Sequence, residues 1–285
     1  MAFERILSDD LIEKLMNEDL FKNYLLPDIK SGKVFPAIRK NEIHFYYKGG
    51  RLFKYSDKGF FSHIKYAFVC PDCNENGDIN QTDLKELKPI NDFTVGYGRI
   101  KENCEKYNKG HESEFVSRLF KQYSYINPNT KDDIVLLDIE ASLESQNEDK
   151  YQDRFDIVLL NKNTSSIRVV EAKLYSNPEL KVSRNSKPQV ISQIKRYEEN
   201  IEERISELTN AYANYLKIIR KIFDVDLPNI QKIEPKVGLL YFDFDEDNKN
   251  SDTFKNLNKV LKEELPDNKI YANGHMTDAS LKLLF

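Results

Sequence analysis

Apolar positions along the chain change period several times, and each change predicts an element. RFDIVLL (154–160) and IRVVEAK (167–173) are β-branched-rich runs separated by the polar stretch NKNTSS, which predicts two strands and a hairpin. DIVLLDIEASLE (133–144) predicts a strand before them and KVGLLYFDF (236–244) a strand after. From Gly110, apolar residues at Phe115, Val116, Leu119, Phe120 and Tyr123 follow helical spacing. Pro188 opens a long amphipathic helix marked by Val190, Ile194, Tyr197, Ile201, Ile205, Leu208, Tyr212 and Tyr215. SDTFKNLNKVLKEEL (251–265) predicts a further helix, and KIYANGHMT an edge strand. Upstream, a helix at about 8–24 precedes β-structure, with IHFYY and RLFKY reading as a hairpin that turns on Gly49–Gly50. A boundary is expected near residues 70–105, where the stretch from Cys70 to Asp92 is polar, acidic and turn-rich. The expected organisation is α/β: a smaller mixed N-terminal module (1–100) and a core (101–285) ordered helix, three strands, long helix, strand.

Candidate chemistry gathers on the central hairpin. A turn centred on Asn163–Thr164 sets Asp156 opposite Glu171, where Cβ atoms lie roughly 5 Å apart and like charges repel. A divalent cation would turn that repulsion into a site, because hard cations take carboxylate oxygens. Lys173, two residues beyond Glu171, points to the same face. The plainer reading is an exposed ion pair on a sheet, worth little in stability. On the preceding helix Glu112 shares the phase of the apolar stripe, whereas Glu114 keeps company with Ser117, Arg118 and Lys121 and should be solvated. Gln193 and Tyr197 are four apart and neighbours on one helix face.

Asp156, followed by Glu171–Ala172–Lys173 at the end of the next strand, resembles the PD-(D/E)XK nuclease superfamily, and Gln193 with Tyr197 resembles the Gln-x-x-x-Tyr motif of its RecB-like branch. The resemblance covers roughly residues 105–245 and implies a restriction-endonuclease-like core. It implies Mg²⁺ or Mn²⁺ held by Asp156, Glu171 and the Ala172 carbonyl, with Glu112 orienting the attacking water or binding a second ion. Lys173 would stabilise phosphorane charge or, with a lowered pKa, share in deprotonation. Gln193 and Tyr197 would help hold substrate. The implied activity is metal-dependent hydrolysis of DNA, in nucleic-acid processing or phage defence, with RNA left open as substrate. The alternative is a nuclease-like module that binds nucleic acid or a protein without cutting.

Composition adjusts this picture in three places. The net charge of −4 is uneven: residues 30–66 carry nine Lys/Arg against Glu42 and Asp57, a net of +7, which leaves −11 for the rest. The same segment is rich in aromatics that strand alternation cannot place wholly inside. Lys48, Arg51 and Lys54 are therefore candidates for phosphate contacts, and Tyr46 and Tyr55 for stacking on unpaired bases. Cys70-Pro-Asp-Cys73 is half a zinc pattern that Cys104 and His111 could complete, although two free thiols in a loop is the favoured reading. Three cysteines and an early acidic N-terminus point to the cytoplasm, and no run reaches the ~18–20 apolar residues of a membrane span. A homo-oligomer or a protein partner fits the sequence equally well.

Overall fold

A computed structural model describes residues 3–67, 77–83, 92–128, 130–143, 153–183, 186–276 and 279–285. It is mixed α/β, with two sheets and several helices. The chain divides into two compact units. The N-terminal unit comprises Glu4–Asp132 and Ala211–Leu227, and the C-terminal unit Met1–Phe3, Asp133–Asn210 and Pro228–Phe285. The boundary expected near residue 100 thus falls inside the first unit. No helix among the described residues is long and apolar enough to cross a membrane.

In the N-terminal unit, α1 (Asp9–Asn17) starts at Ser8, whose hydroxyl accepts the Leu11 amide, and its first turn carries Asp9 and Asp10. After α2 (Leu26–Lys30) come five antiparallel strands in sequential order: β1 (Phe35–Arg39), β2 (Glu42–Tyr47), β3 (Gly50–Ser56), β4 (Gly59–His63) and β5 (Asp78–Asn80). The β2–β3 turn falls on Lys48–Gly49, both at positive φ, one residue earlier than the sequence suggested. Gly49 also lets the turn close on a neighbouring helix, because a Cβ there would lie 2.4 Å from the Glu114 amide nitrogen. Gly50 belongs to β3, and its Cβ would collide with Cys104 and Asn108.

The helix closing on this sheet is α3 (Tyr97–Asn108), most of which falls in the stretch expected to be a boundary. It buries Tyr97, Ile100, Asn103 and Cys104. The helix expected from Gly110 onward is broken into α4 (Glu112–Ser117) and α5 (Phe120–Tyr123). Aromatics fill this core: Phe53 stacks on Tyr97 and meets Phe93 and Phe60, while Phe45 meets Phe21.

The C-terminal unit is built on β6 (Ile134–Leu143), β7 (Asp153–Asn161) and β8 (Ser166–Leu174), an antiparallel meander. Helix α6 (Gln189–Glu203) follows, and then α7 (Ile205–Phe223), where one continuous helix was expected; the α7 residues from Ala211 onward belong to the N-terminal unit. The break is Arg204, at φ −116° and ψ 19°, whose buried guanidinium pairs with Glu207 at 2.8 Å. After β9 (Lys232–Ile233), β10 (Gly238–Phe242) runs parallel to β8. Short α8 (Glu246–Asn250) and α9 (Asp252–Glu264) then lead to β11 (Ile270–Asn273), parallel to β10 at the sheet edge. The strand order is β11-β10-β8-β7-β6, with β9 also on β8. Phe254, Leu257, Leu261 and Leu265 are buried as their spacing requires. Strand β8 is central and buried on both faces, which explains its near-continuous apolar run.

A candidate metal centre on a buried strand

Arg168, Glu171 and Lys173 are all buried within β8, where a charge is costly unless it is paired. Arg168 is held structurally: its Nη1 donates to the Lys236 carbonyl at 2.8 Å and its guanidinium lies 3.9 Å from Glu234, while its buried Nε has no hydrogen-bond partner. Glu171 and Lys173 are held differently.

The hairpin register is the one read from the sequence. Ile157 pairs with Val170, Val158 with Val169 and Asn161 with Ser166, and continuing that ladder by one residue sets Asp156 opposite Glu171. The Asp156 carboxylate accepts the Ala172 amide at 3.0 Å, which pins it to the neighbouring strand. Glu171 is 1% exposed. Lys173 Nζ sits 2.7 Å from Glu171 Oε1, but the approach is not that of a hydrogen bond, and neither Glu171 oxygen accepts one. Burial, and then the Asp156 charge, push the Glu171 carboxyl well above its usual range, only partly offset by Lys173. For Lys173 burial works downward, but the Glu171 and Glu179 carboxylates outweigh it and hold the ammonium above its ordinary pKa. Lys173 therefore remains charged at neutral pH, which overturns the expectation of a lowered pKa and a share in deprotonation.

Helix α6 adds the next layer. Gln193 Nε2 donates to the Tyr197 hydroxyl at 2.9 Å, and that hydroxyl donates to the Arg154 carbonyl at 2.6 Å, two residues before Asp156. The Tyr197 ring packs edge-on against Phe155. Burial, together with the Glu171 and Asp156 charges, raises the phenol pKa, so Tyr197 remains a neutral donor. Asp156, Glu171, Ala172, Lys173, Gln193 and Tyr197 thus all belong to the C-terminal unit.

The remaining candidates belong to the other unit. Glu112 opens α4 and is half-buried. Glu114, expected to be solvated, is buried and paired to Arg118 through two contacts of 3.2 Å. The reason is non-local: the Gly49 turn lies against the backbone of Ser113 and Glu114. Lys48 is 3.8 Å from Glu105, Arg51 makes two contacts of 2.6 and 2.7 Å to Asp78, and Lys54 is 3.2 Å from Asp78. Tyr46 and Tyr55 are buried, so neither ring is available for stacking, contrary to expectation. Their burial follows from cover that alternation could not count: Tyr55 packs on Phe60 at 4.7 Å and reaches Glu18, while Tyr46 follows a bulge at Phe45/Tyr46. Cys70 and Cys73 lie outside the described residues. Cys104 is a buried thiol that donates to the Tyr47 carbonyl, and burial pushes its pKa up to about 12.

Two facing carboxylates with an adjacent backbone carbonyl suit a hard, partly hydrated cation such as Mg²⁺ rather than a structural zinc. Neither oxygen of buried Glu171 is in a well-aligned hydrogen bond, with Lys173 as its ion-pair neighbour, and a bound cation would satisfy both. Among the described residues no group of three or more His, Cys, Asp or Glu side chains is gathered for a metal ion. Glu179, reaching Lys173 from the turn after β8, is a charged site neighbour the sequence pattern did not single out. Comparison with family models, with curated proteins and with solved structures gives no match.

Proposed function

We propose that the C-terminal unit is a restriction-endonuclease-like core and that the protein is a metal-dependent nuclease, with DNA as its first substrate. One observation carries the reading: an almost fully buried glutamate, Glu171, has neither oxygen in a well-aligned hydrogen bond, faces Asp156 and has the Lys173 ammonium 2.7 Å away. A structural role would be served as well by an apolar residue, because taking both members of an ion pair out of water costs several kcal/mol that the Lys173 contact only partly repays. The meander followed by α6 and a parallel β10 beside β8, and the Gln193–Tyr197 hydrogen bond, support the same assignment.

In this mechanism Asp156, Glu171 and the Ala172 carbonyl would hold Mg²⁺ or Mn²⁺. Such a cation supplies Lewis-acid polarisation of a phosphoryl oxygen and eases deprotonation of water. The Lys173 ammonium neutralises the charge that builds on the phosphorane. Tyr197, neutral and anchored by Arg154, keeps the start of β7 and hence Asp156 in place. The test incubates purified protein with linear, circular and single-stranded DNA in Mg²⁺, Mn²⁺ or EDTA. Cleavage is expected with either ion and absent with EDTA. Equal cleavage by folded Asp156→Asn and Glu171→Gln variants would sink the proposal.

A further inference from the structure

Lys173 has two carboxylate partners, and the second is built in as firmly as the first. Glu179 lies in a single turn of 3₁₀ helix (Pro178–Leu180) directly after β8. The Asn177 side chain accepts the Glu179 amide at 2.9 Å, the Asn177 amide donates to the Leu174 carbonyl at 2.8 Å, and Leu180 is buried. The turn is thus tied to the strand that carries Lys173. The Glu179 side chain is 39% exposed, yet its Oε2 is buried and lies 2.7 Å from Lys173 Nζ. Lys173 Nζ is at the same distance from Glu171 Oε1.

This arrangement poses a problem of charge. With Glu171 ionised, as a bound cation requires, Asp156, Glu171 and Glu179 would set three negative charges against the one positive charge of Lys173, a surplus that one divalent cation would balance. The Lys173 ammonium, however, already occupies Glu171 Oε1, one of the two oxygens such a cation needs. Two cations a few ångströms apart repel, so loading requires Lys173 to leave Glu171. An ammonium released into a buried site with no other acceptor would be costly. Glu179 already touches it.

We propose that Glu179 is a positioning residue that keeps the Lys173 ammonium in the site when a divalent cation takes Glu171. Lys173 shifts its weight from Glu171 to Glu179, makes room for the cation and stays beside the reacting phosphate. Glu179 stands outside the ligating pair, in keeping with the absence of a three-acid cluster among the described residues. The inference rests on the reading of Asp156 and Glu171 as metal ligands.

The test is calorimetric titration of MnCl₂ and of MgCl₂ into the full chain, free of nucleic acid. Wild type, E179Q, K173Q, K173Q/E179Q and E171Q are compared, each first shown to fold by circular dichroism. E179Q should raise the metal Kd on the order of tenfold, the size of one lost charge-assisted bond. In the K173Q background no ammonium needs a seat, so adding E179Q should cost several-fold less. An unchanged Kd in E179Q overturns the proposal. An equal loss in both backgrounds also overturns it, because Glu179 would then act on the metal directly. Identical titrations of wild type and E171Q would instead remove the metal reading itself, whatever E179Q does.

Discussion

Both sheets carry charged residues at buried or half-buried positions, and the two treat them in opposite ways. On the N-terminal sheet each charge has an answer: Arg51 grips Asp78 with two contacts, Lys54 adds a third, and His44 meets Glu42 at 2.9 Å. On the C-terminal sheet Glu171 is buried deeper than any of these and has no donor that fits it. Half-exposed paired charges are what a soluble sheet uses to stay soluble and in register, and each is worth little. A buried carboxylate placed opposite another is a cost the fold has no structural reason to bear. The difference separates charge that serves the fold from charge held for chemistry.

The sharpest way to break this contrast is to neutralise one acid in each sheet. Glu171→Gln should lower metal-dependent cleavage on the order of a thousandfold, since ligation and the placement of Lys173 both depend on it. Its metal-free stability should change little, because the Glu171 carboxyl is already pushed toward its neutral form and Lys173 keeps Glu179 as a partner. Asp78→Asn should do the reverse: a loss of about 1 kcal/mol in denaturant unfolding, and cleavage unchanged. A Glu171→Gln protein that cuts normally but unfolds more easily would place Glu171 with the structural charges and erase the distinction.

How much of this was legible beforehand depended on sequence distance. The hairpin could be read because a short polar loop fixes register and a slip of one residue would turn its apolar positions outward. From that register the Asp156–Glu171 opposition followed without any tertiary knowledge. Helix α3 was missed because two of its buried positions are Asn103, bonded to the Tyr66 carbonyl, and Cys104, so an apolar count fell short. Glu114 and the tyrosines were misplaced for one reason: what covers them comes from far along the chain. Glu179 is nearer, six residues from Lys173, but it lies in a turn with no periodicity to say where its side chain goes. The basic run at residues 30–66 looked exposed because the acids that answer it, such as Asp78 and Glu105, lie outside the run.

A smaller effect tests whether the N-terminal charges are as structural as they look. Burial, against the help of Glu42 and reinforced by Arg39 and Arg51, holds the His44 imidazole down at about 4. The folded pKa lies below the unfolded value, so the neutral ring is the stabilised form. Its contribution is complete above about pH 6.5 and is lost as pH falls from there to about 4, amounting to about 3 kcal/mol. Denaturant unfolding of wild type and His44→Gln between pH 7 and 4 should show the wild type losing that much more stability. His63 shifts in the same direction, so the difference between the two proteins is read instead of the wild-type slope alone, and it reports His44 together with Glu42, whose carboxyl His44 holds below its usual range. Parallel curves would mean that His44 is hydrated and that the polar face of this sheet is more open than its packing indicates.

The smallest expected effect concerns the three cations once assigned to phosphate contacts. Lys48, Arg51 and Lys54 already face Glu105, Asp78 and Glu42, so a phosphate must outcompete a carboxylate a few ångströms away to gain them. Exchanging one anionic partner for another releases little net charge, and the counterion release that drives nucleic-acid binding is correspondingly small. A Lys48→Gln/Arg51→Gln/Lys54→Gln variant should therefore bind DNA within about threefold of wild type, with the slope of log K against log salt changed by less than one unit. Three genuine phosphate contacts would instead flatten that slope by roughly 2.7 units, at about 0.9 per contact on a duplex. A change of that size would show that Asp78, Glu42 and Glu105 hold the cations only until nucleic acid arrives. The N-terminal sheet would then resemble the C-terminal one, with its charge pairs a resting arrangement instead of a structural end point.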